Sequence, residues 1–83
     1  MKKHIEFKTQ GTCASMIILD VEDGVILDCQ FIRGCHGNTQ GVAALVKGMK
    51  VEDAIARLEG IRCGMKNTSC PDQLAKALKT TLD

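Results

Sequence analysis

Two runs of alternating apolar residues, joined by Asp23-Gly24, constrain this chain more than any other feature in it. In residues 13–22, Ile17, Leu19 and Val21 fall at every second position. In residues 25–32, Val25, Leu27, Cys29 and Phe31 do the same. A period of two marks a half-buried strand, because successive side chains point to opposite faces. Asp-Gly between two such runs is a strong signal for a hairpin turn. Asp28 and Gln30 are then expected to point away from the core and Cys29 into it, as a small hydrophobe in the packing. A third alternating run, residues 3–10, puts His4, Glu6 and Lys8 on one side and Ile5 and Phe7 on the other. Gln10-Gly11-Thr12 breaks it, and Cys13 is expected to open the second strand.

The period changes after Arg33-Gly34-Cys35-His36-Gly37-Asn38. Val42, Leu45, Val46 and Met49 are spaced for one face of a helix, capped by Asn38 or Thr39 and ended by Gly48. Residues 51–59 form a second helical pattern, with Val51, Ala54, Ile55 and Leu58 inward and Gly60 as the stop. Residues 71–82 form a third, with Leu74, Ala77, Leu78 and Leu82 on one face. Strands followed by helices read as α+β. The expected architecture is a three-stranded antiparallel meander followed by three helices, packed on the face that carries Ile17, Leu19, Leu27 and Phe31. The 83 residues suit one domain with a modest core.

Composition removes several function classes. A formal net charge of +1 gives no electrostatic footprint for nucleic acid or an anionic membrane. Two Phe and no Trp or Tyr leave little for stacking on single-stranded bases. Met1-Lys2-Lys3-His4-Ile5-Glu6 lacks the apolar run of an export signal, and no stretch is long enough to span a bilayer, so a cytoplasmic chain is expected. Asp20, Glu22 and Asp23 read as a solvated hairpin tip, and Glu52-Asp53 suits the start of a helix dipole. No serine–histidine–acid arrangement, phosphate loop or pair of catalytic carboxylates stands out.

Five cysteines in so short a chain need a reason. In a reducing compartment such a density points to metal binding or thiol chemistry rather than to a disulfide scaffold. Cys13, Cys35, Cys63 and Cys70 all fall in turns or at element ends. Cys70 lies within Asn67-Thr68-Ser69-Cys70-Pro71-Asp72-Gln73-Leu74-Ala75, which reads as a capped helix start. Thr68 or Ser69 supplies the capping oxygen, Asp72 stands where the acid of a capping box would, and Pro71 fits the first turn. Such a cap sets Cys70 at the positive end of a helix dipole, a place that favours thiolate. Four loop thiolates can close a tetrahedral site. His36, beside Cys35, is a candidate ligand of that site or a hydrogen-bond donor to one, while a solvated histidine at a helix start accounts for it equally. His4 reads as a surface residue.

The string Thr68-Ser69-Cys70-Pro71-Asp72 resembles the signature of the TSCPD domain. Gly34-Cys35-His36-Gly37-Asn38, Leu45-Val46-Lys47-Gly48-Met49 and Cys63-Gly64 with Lys66 are similar to the stand-alone members of that family. The same domain occurs at the C-terminus of adenosylcobalamin-dependent (class II) ribonucleotide reductases. A chain of this length cannot hold the radical-generating barrel and cobalamin site, so a reductase label, ribonucleoside-diphosphate reductase included, would be inherited from the shared domain. More distantly, the order of Cys13, the Phe31…Gly34-Cys35 turn, Val46-Lys47-Gly48 and Cys70 before Leu74-Ala75 resembles iron–sulfur scaffolds of the IscU/NifU type. That resemblance implies an IscU-like fold and a role in holding or passing on a cluster. Where those scaffolds carry an aspartate shortly after the first cysteine, this chain has Ala14 and Ser15. Where they carry a histidine before the third, it has Ser69. It adds Cys63, which points to a more closed site.

The expectation is therefore a small metal-binding domain, using zinc or an iron–sulfur cluster on Cys13, Cys35, Cys63 and Cys70, as a scaffold or carrier and not an enzyme by itself. Two alternatives stand beside it. One is a redox helper to ribonucleotide reduction, in which Cys63 and Cys70 cycle between dithiol and disulfide. The other is an interaction module whose cysteines are only structural. A reductase or an iron–sulfur client is the protein partner these readings imply. The oligomeric state is open, a homodimer included.

Overall fold

A computed structural model describes residues 2–11, 14–33, 36–62, 64–65 and 67–82, with the backbone alone for residues 36–38. The elements run β1 (Lys2–Lys8), β2 (Met16–Glu22), β3 (Val25–Ile32), α1 (His36–Val46), α2 (Val51–Leu58) and α3 (Cys70–Lys79). The strands form one antiparallel sheet in the order β1-β2-β3. Ile5 faces Leu19 and Phe7 faces Ile17 across the first pair. Leu19 faces Cys29 and Ile17 faces Phe31 across the second. Asp23 and Gly24 turn the hairpin with φ of 52° and 78°, the doubly positive turn whose twist matches its strands. This is the α+β arrangement expected from the order of periods.

The hairpin departs from simple alternation at one point. Asp20 pairs with Asp28, but Val21 pairs with Ile26, so Leu27 has no partner and forms a bulge. The extra residue inverts the pattern on its N-terminal side. Ile26 becomes fully buried, while Leu27, expected inward, is 44% exposed. Beyond the bulge the expected phase holds. Cys29 is buried in the core, and its thiol is pushed up to about 12, first by burial and then by Asp28. The connection between α1 and α2 runs along this edge of β3. Gly48 N–H donates to Ile26 O (2.7 Å), Ile26 N–H to Met49 O (2.9 Å) and Val51 N–H to Gly24 O (2.8 Å). Gly48 takes φ of 86° there, which a side chain would disfavour.

Three boundaries and faces also differ. β2 begins at Met16, three residues after the expected start at Cys13, which lies outside the described residues. α1 begins at His36, ahead of the expected caps, and its inward arc is Thr39, Val42, Ala43 and Val46. Leu45 sits to one side of that arc and is 76% exposed. α3 ends at Lys79 with Thr80 as its C-cap, so Leu82 leaves the helical face and is exposed. Thr81 is buried in its place, where its carbonyl accepts from Lys3 Nζ at 2.7 Å.

α3 lies on β2, α1 lies on β3, and α2 packs against α3. Ile17, Leu19, Val21 and Ile26 from the sheet meet Val46, Val51, Ala54, Ile55, Leu74, Ala77 and Leu78 from the helices. His4 is a surface residue held by Asp20 (2.7 Å) and Glu6 (3.4 Å), and these two carboxylates raise its pKa. No described helix is long and apolar enough to cross a membrane.

The bulge makes a quantitative expectation. Ile26→Ala should cost about 2–4 kcal/mol in urea unfolding, as a fully buried truncation, and Leu27→Ala less than about 1 kcal/mol. Plain alternation along β3 demands the opposite ranking.

Candidate functional site

α3 is buried on most of its circumference: of Cys70–Lys79, only Lys76 and Lys79 are exposed. A helix so enclosed cannot leave its first backbone N–H groups to water. The residues around Cys70 satisfy them. Ser69 is the N-cap, and its Oγ accepts from Asp72 N–H at 3.1 Å. The same hydroxyl donates to Ile61 O at 2.7 Å. Pro71 stands in the first turn, where it forfeits no helical hydrogen bond.

Asp72 does not complete the expected capping box. Its carboxylate reaches outward from the helix instead. Oδ1 accepts from Gly60 N–H at 2.8 Å, and Oδ2 accepts from the Thr68 hydroxyl. Lys76, one turn on, lies 3.8 Å from Oδ2. Asp72 is buried, yet its carboxyl is held below the usual range. The Thr68 hydroxyl does most of this, burial opposes it, and the Gly60 N–H and Lys76 add to it. Thr68 Oγ1 also accepts from Gln73 Nε2 at 3.0 Å, and Gln73 Oε1 accepts from Gln10 N–H at 3.2 Å. Gly11, with φ of 73°, leaves room for Thr68; a Cβ there would sit 3.2 Å from Thr68 Cγ2.

Thr68, Ser69, Asp72 and Gln73 thus form a buried, fully paired polar cluster that ties three segments together. It holds the start of α3 to the loop after α2, through Gly60 and Ile61. It also holds α3 to the loop after β1, through Gln10 and Gly11. Among the described residues, no buried side-chain nitrogen or oxygen lacks a partner. A third tie joins the loop after β1 to the end of β3: Ser15 N–H donates to Ile32 O at 2.8 Å, with Ser15 Oγ also on that carbonyl.

Of the expected site residues, Cys70 is described. It is the first residue of α3, buried at 7% exposure, with a free thiol. Cys13, Cys35 and Cys63 lie outside the described residues, as does the side chain of His36. What is described is the chain on either side of them. Gln10, Gly11, Ala14 and Ser15 flank residue 13, Ile32 and Arg33 precede residue 35, and Ile61 and Arg62 precede residue 63. The hydrogen bonds above connect these flanks to one another or to the start of α3. Sequence reasoning left the cap between Thr68 and Ser69, of which Ser69 is the one that caps, and it missed Gln73, Gln10 and Gly60, and the bond from Thr68 to Asp72. The signal for Thr68 and Gln73 was faint: two polar residues beside a cap, with no period to say that they are buried.

The cluster has a pH signature. Asp72 has a folded pKa below its unfolded value of about 4, so its stabilisation is complete above that value and is lost as pH falls through the folded one. Asp72→Asn must turn an amide N–H₂ toward the Thr68 hydroxyl, which already accepts from Gln73. It should cost about 1–3 kcal/mol at pH 7. The gap from wild type should narrow below about pH 4. Urea melts of both proteins across pH 3–7 measure this, and a gap constant over that range would contradict it.

No curated protein and no solved structure matches the chain, so the similarity to iron–sulfur scaffolds rests on the order of its cysteines and glycines alone. The family model of the TSCPD domain matches residues 1–82, and the chain belongs to the TSCPD domain family.

Proposed function

We propose that this TSCPD domain is a small metal-binding protein in which Cys13, Cys35, Cys63 and Cys70 hold zinc or an iron–sulfur cluster. The observation that carries the reading is the polar cluster at the start of α3. Its hydrogen bonds hold the chain before residue 13, at Gln10, and before residue 63, at Gly60 and Ile61, to the start of α3, and a separate bond from Ser15 to Ile32 joins the chain after residue 13 to the end of β3, which precedes residue 35. Four letters of the Thr68-Ser69-Cys70-Pro71-Asp72 string have work inside the fold: three hydrogen-bond, and the proline starts a helix. The Cys70 thiol has no hydrogen-bond partner among the described residues, and it stands at a helix N-terminus, where a metal-bound thiolate is electrostatically favoured. Four thiolates are the donor set of closed zinc sites and of iron–sulfur clusters. Burial of Cys70 supports a ligand over an exchanging thiol, because thiol–disulfide exchange needs access to the sulfur. In this reading the domain acts in the reducing cytoplasm, as a scaffold or carrier for its metal or as a stable module on which a partner protein docks.

The test is metal content after anaerobic purification, by mass spectrometry for zinc and iron and by acid-labile sulfide. Bound metal in the wild type should be lost on changing Cys13, Cys35, Cys63 or Cys70 to Ser and kept in Cys29→Ala. Since ligands organised only in the native chain couple binding to folding, a chelator should lower Tm by at least several degrees. Metal-free protein that melts as high as the purified form, with a reversible Cys63–Cys70 disulfide, would replace this reading with the redox one.

A further inference from the structure

α1 has the wrong surface for a helix with one side in water. Residues 34–46 contain no Asp, Glu, Lys or Arg. Its inward arc on β3 is Thr39, Val42, Ala43 and Val46, but its outward face is equally uncharged: Gln40, Gly41, Ala44 and Leu45, all exposed. Beside the polar Gln40, the exposed side of α1 thus offers a narrow apolar strip, Ala44 and Leu45, where a surface helix usually carries charge. Leu45, at 76% exposure, borders an apolar groove of about 390 Å³ between α1 and α2, lined also by Val42, Met49, Leu58 and Arg57.

Gly41 is the second observation. It sits in the middle of α1, where glycine is the worst residue after proline. Its φ is not in the left-handed region, and no described atom lies within 4 Å of where a Cβ would be. Nothing among the described residues calls for glycine at this position. A close approach from outside does.

We propose that this face is a two-fold interface between two copies of the chain, built on antiparallel α1 helices. Gly41 and Leu45 are four residues apart, about 6 Å along the same side of the helix. Across a two-fold axis on the outward side, midway along the helix between Gly41 and Leu45, each Leu45 lies over the Gly41 of the other copy, knob into hole. α1 itself brings no charge to this face, the groove beside it has Arg57 in its lining, and the projection of Leu45 matches the hollow at Gly41. α1, at eleven residues, is about 16 Å long, and with the groove beside it the face is about 20 Å wide. Two such faces bury roughly 600–1,000 Å², the range of weak and reversible interfaces. A concentration-dependent dimer follows.

Sedimentation velocity on the protein as purified, from about 10 to 500 μM and at low and high salt, tests this. A monomer–dimer equilibrium with little salt dependence is expected, since no ion pair crosses the interface. Leu45→Glu should be monomeric throughout, with an unchanged far-ultraviolet circular dichroism spectrum. Gly41→Ala should raise the Tm of the dilute monomer yet weaken dimerisation at least tenfold. The two opposite effects of one methyl group separate an interface from a role in folding. A wild type that stays monomeric, including one that instead captures a different protein, overturns the proposal. So does a dimer that survives both substitutions, or one that dissociates in salt and so belongs to the charged β1 edge.

Discussion

The Asp72 carboxylate is the interaction on which the rest of the structure depends. A buried carboxylate is costly unless its oxygens are met by donors, and here the donors come from two directions: the Thr68 hydroxyl just before the helix and the Gly60 amide twelve residues upstream. Because one side chain is satisfied only when both are in place, the end of α2 and the start of α3 cannot move independently. Gln73 extends the same constraint to Gln10 and so to the loop that follows β1. The hydrophobic core sets the sheet and helices against each other, but apolar contact is non-directional. It is the polar cluster that fixes the register of α3 and therefore where Cys70 begins it.

Much of the fold was written in short-range pattern. Asp23-Gly24 and the flanking alternation specify the hairpin, and Gly48 and Gly60 end α1 and α2 where the helical period ends. The failures share a physical cause. The Leu27 bulge is a pairing choice made by the partner strand and by the segment that runs beside β3, so β3 alone reads as unbroken alternation. Leu45 and Leu82 are hydrophobic at plausible spacings, but the arc of a helix that meets the core is set by tertiary contact. For α1 that arc is centred on Thr39 and Val46. The cap was legible to within one residue, Thr68 or Ser69, because it is local. The partner of Asp72 was not, because Gly60 is remote in sequence and its contribution is a backbone amide, which every residue but proline has.

The candidate site follows the same division. The residue types pointed to thiolate chemistry from composition and turn placement alone. What the fold adds is the connection between the chain segments flanking those cysteines, made by side chains that have no chemistry of their own to offer. A family signature of this kind encodes mainly a scaffold: Thr68, Ser69 and Asp72 hydrogen-bond, Pro71 starts the helix, and Cys70 is what they present. The uncharged α1 face lies on a different element from this cluster, so the proposed metal site and the proposed pairing with a second copy can be tested separately.

The central claim is that the polar cluster, and not a bound metal, sets the start of α3 and the loops tied to it. Native-state hydrogen exchange at the Gly60 and Gln10 amides of metal-stripped protein tests it most directly, since both are loop amides whose acceptors are the side chains of Asp72 and Gln73. Protection approaching that of the core amides of β2, and lost in Asp72→Ala, is the predicted result. Exchange at these two amides as fast as in an unfolded chain, while β2 stays protected, would contradict it.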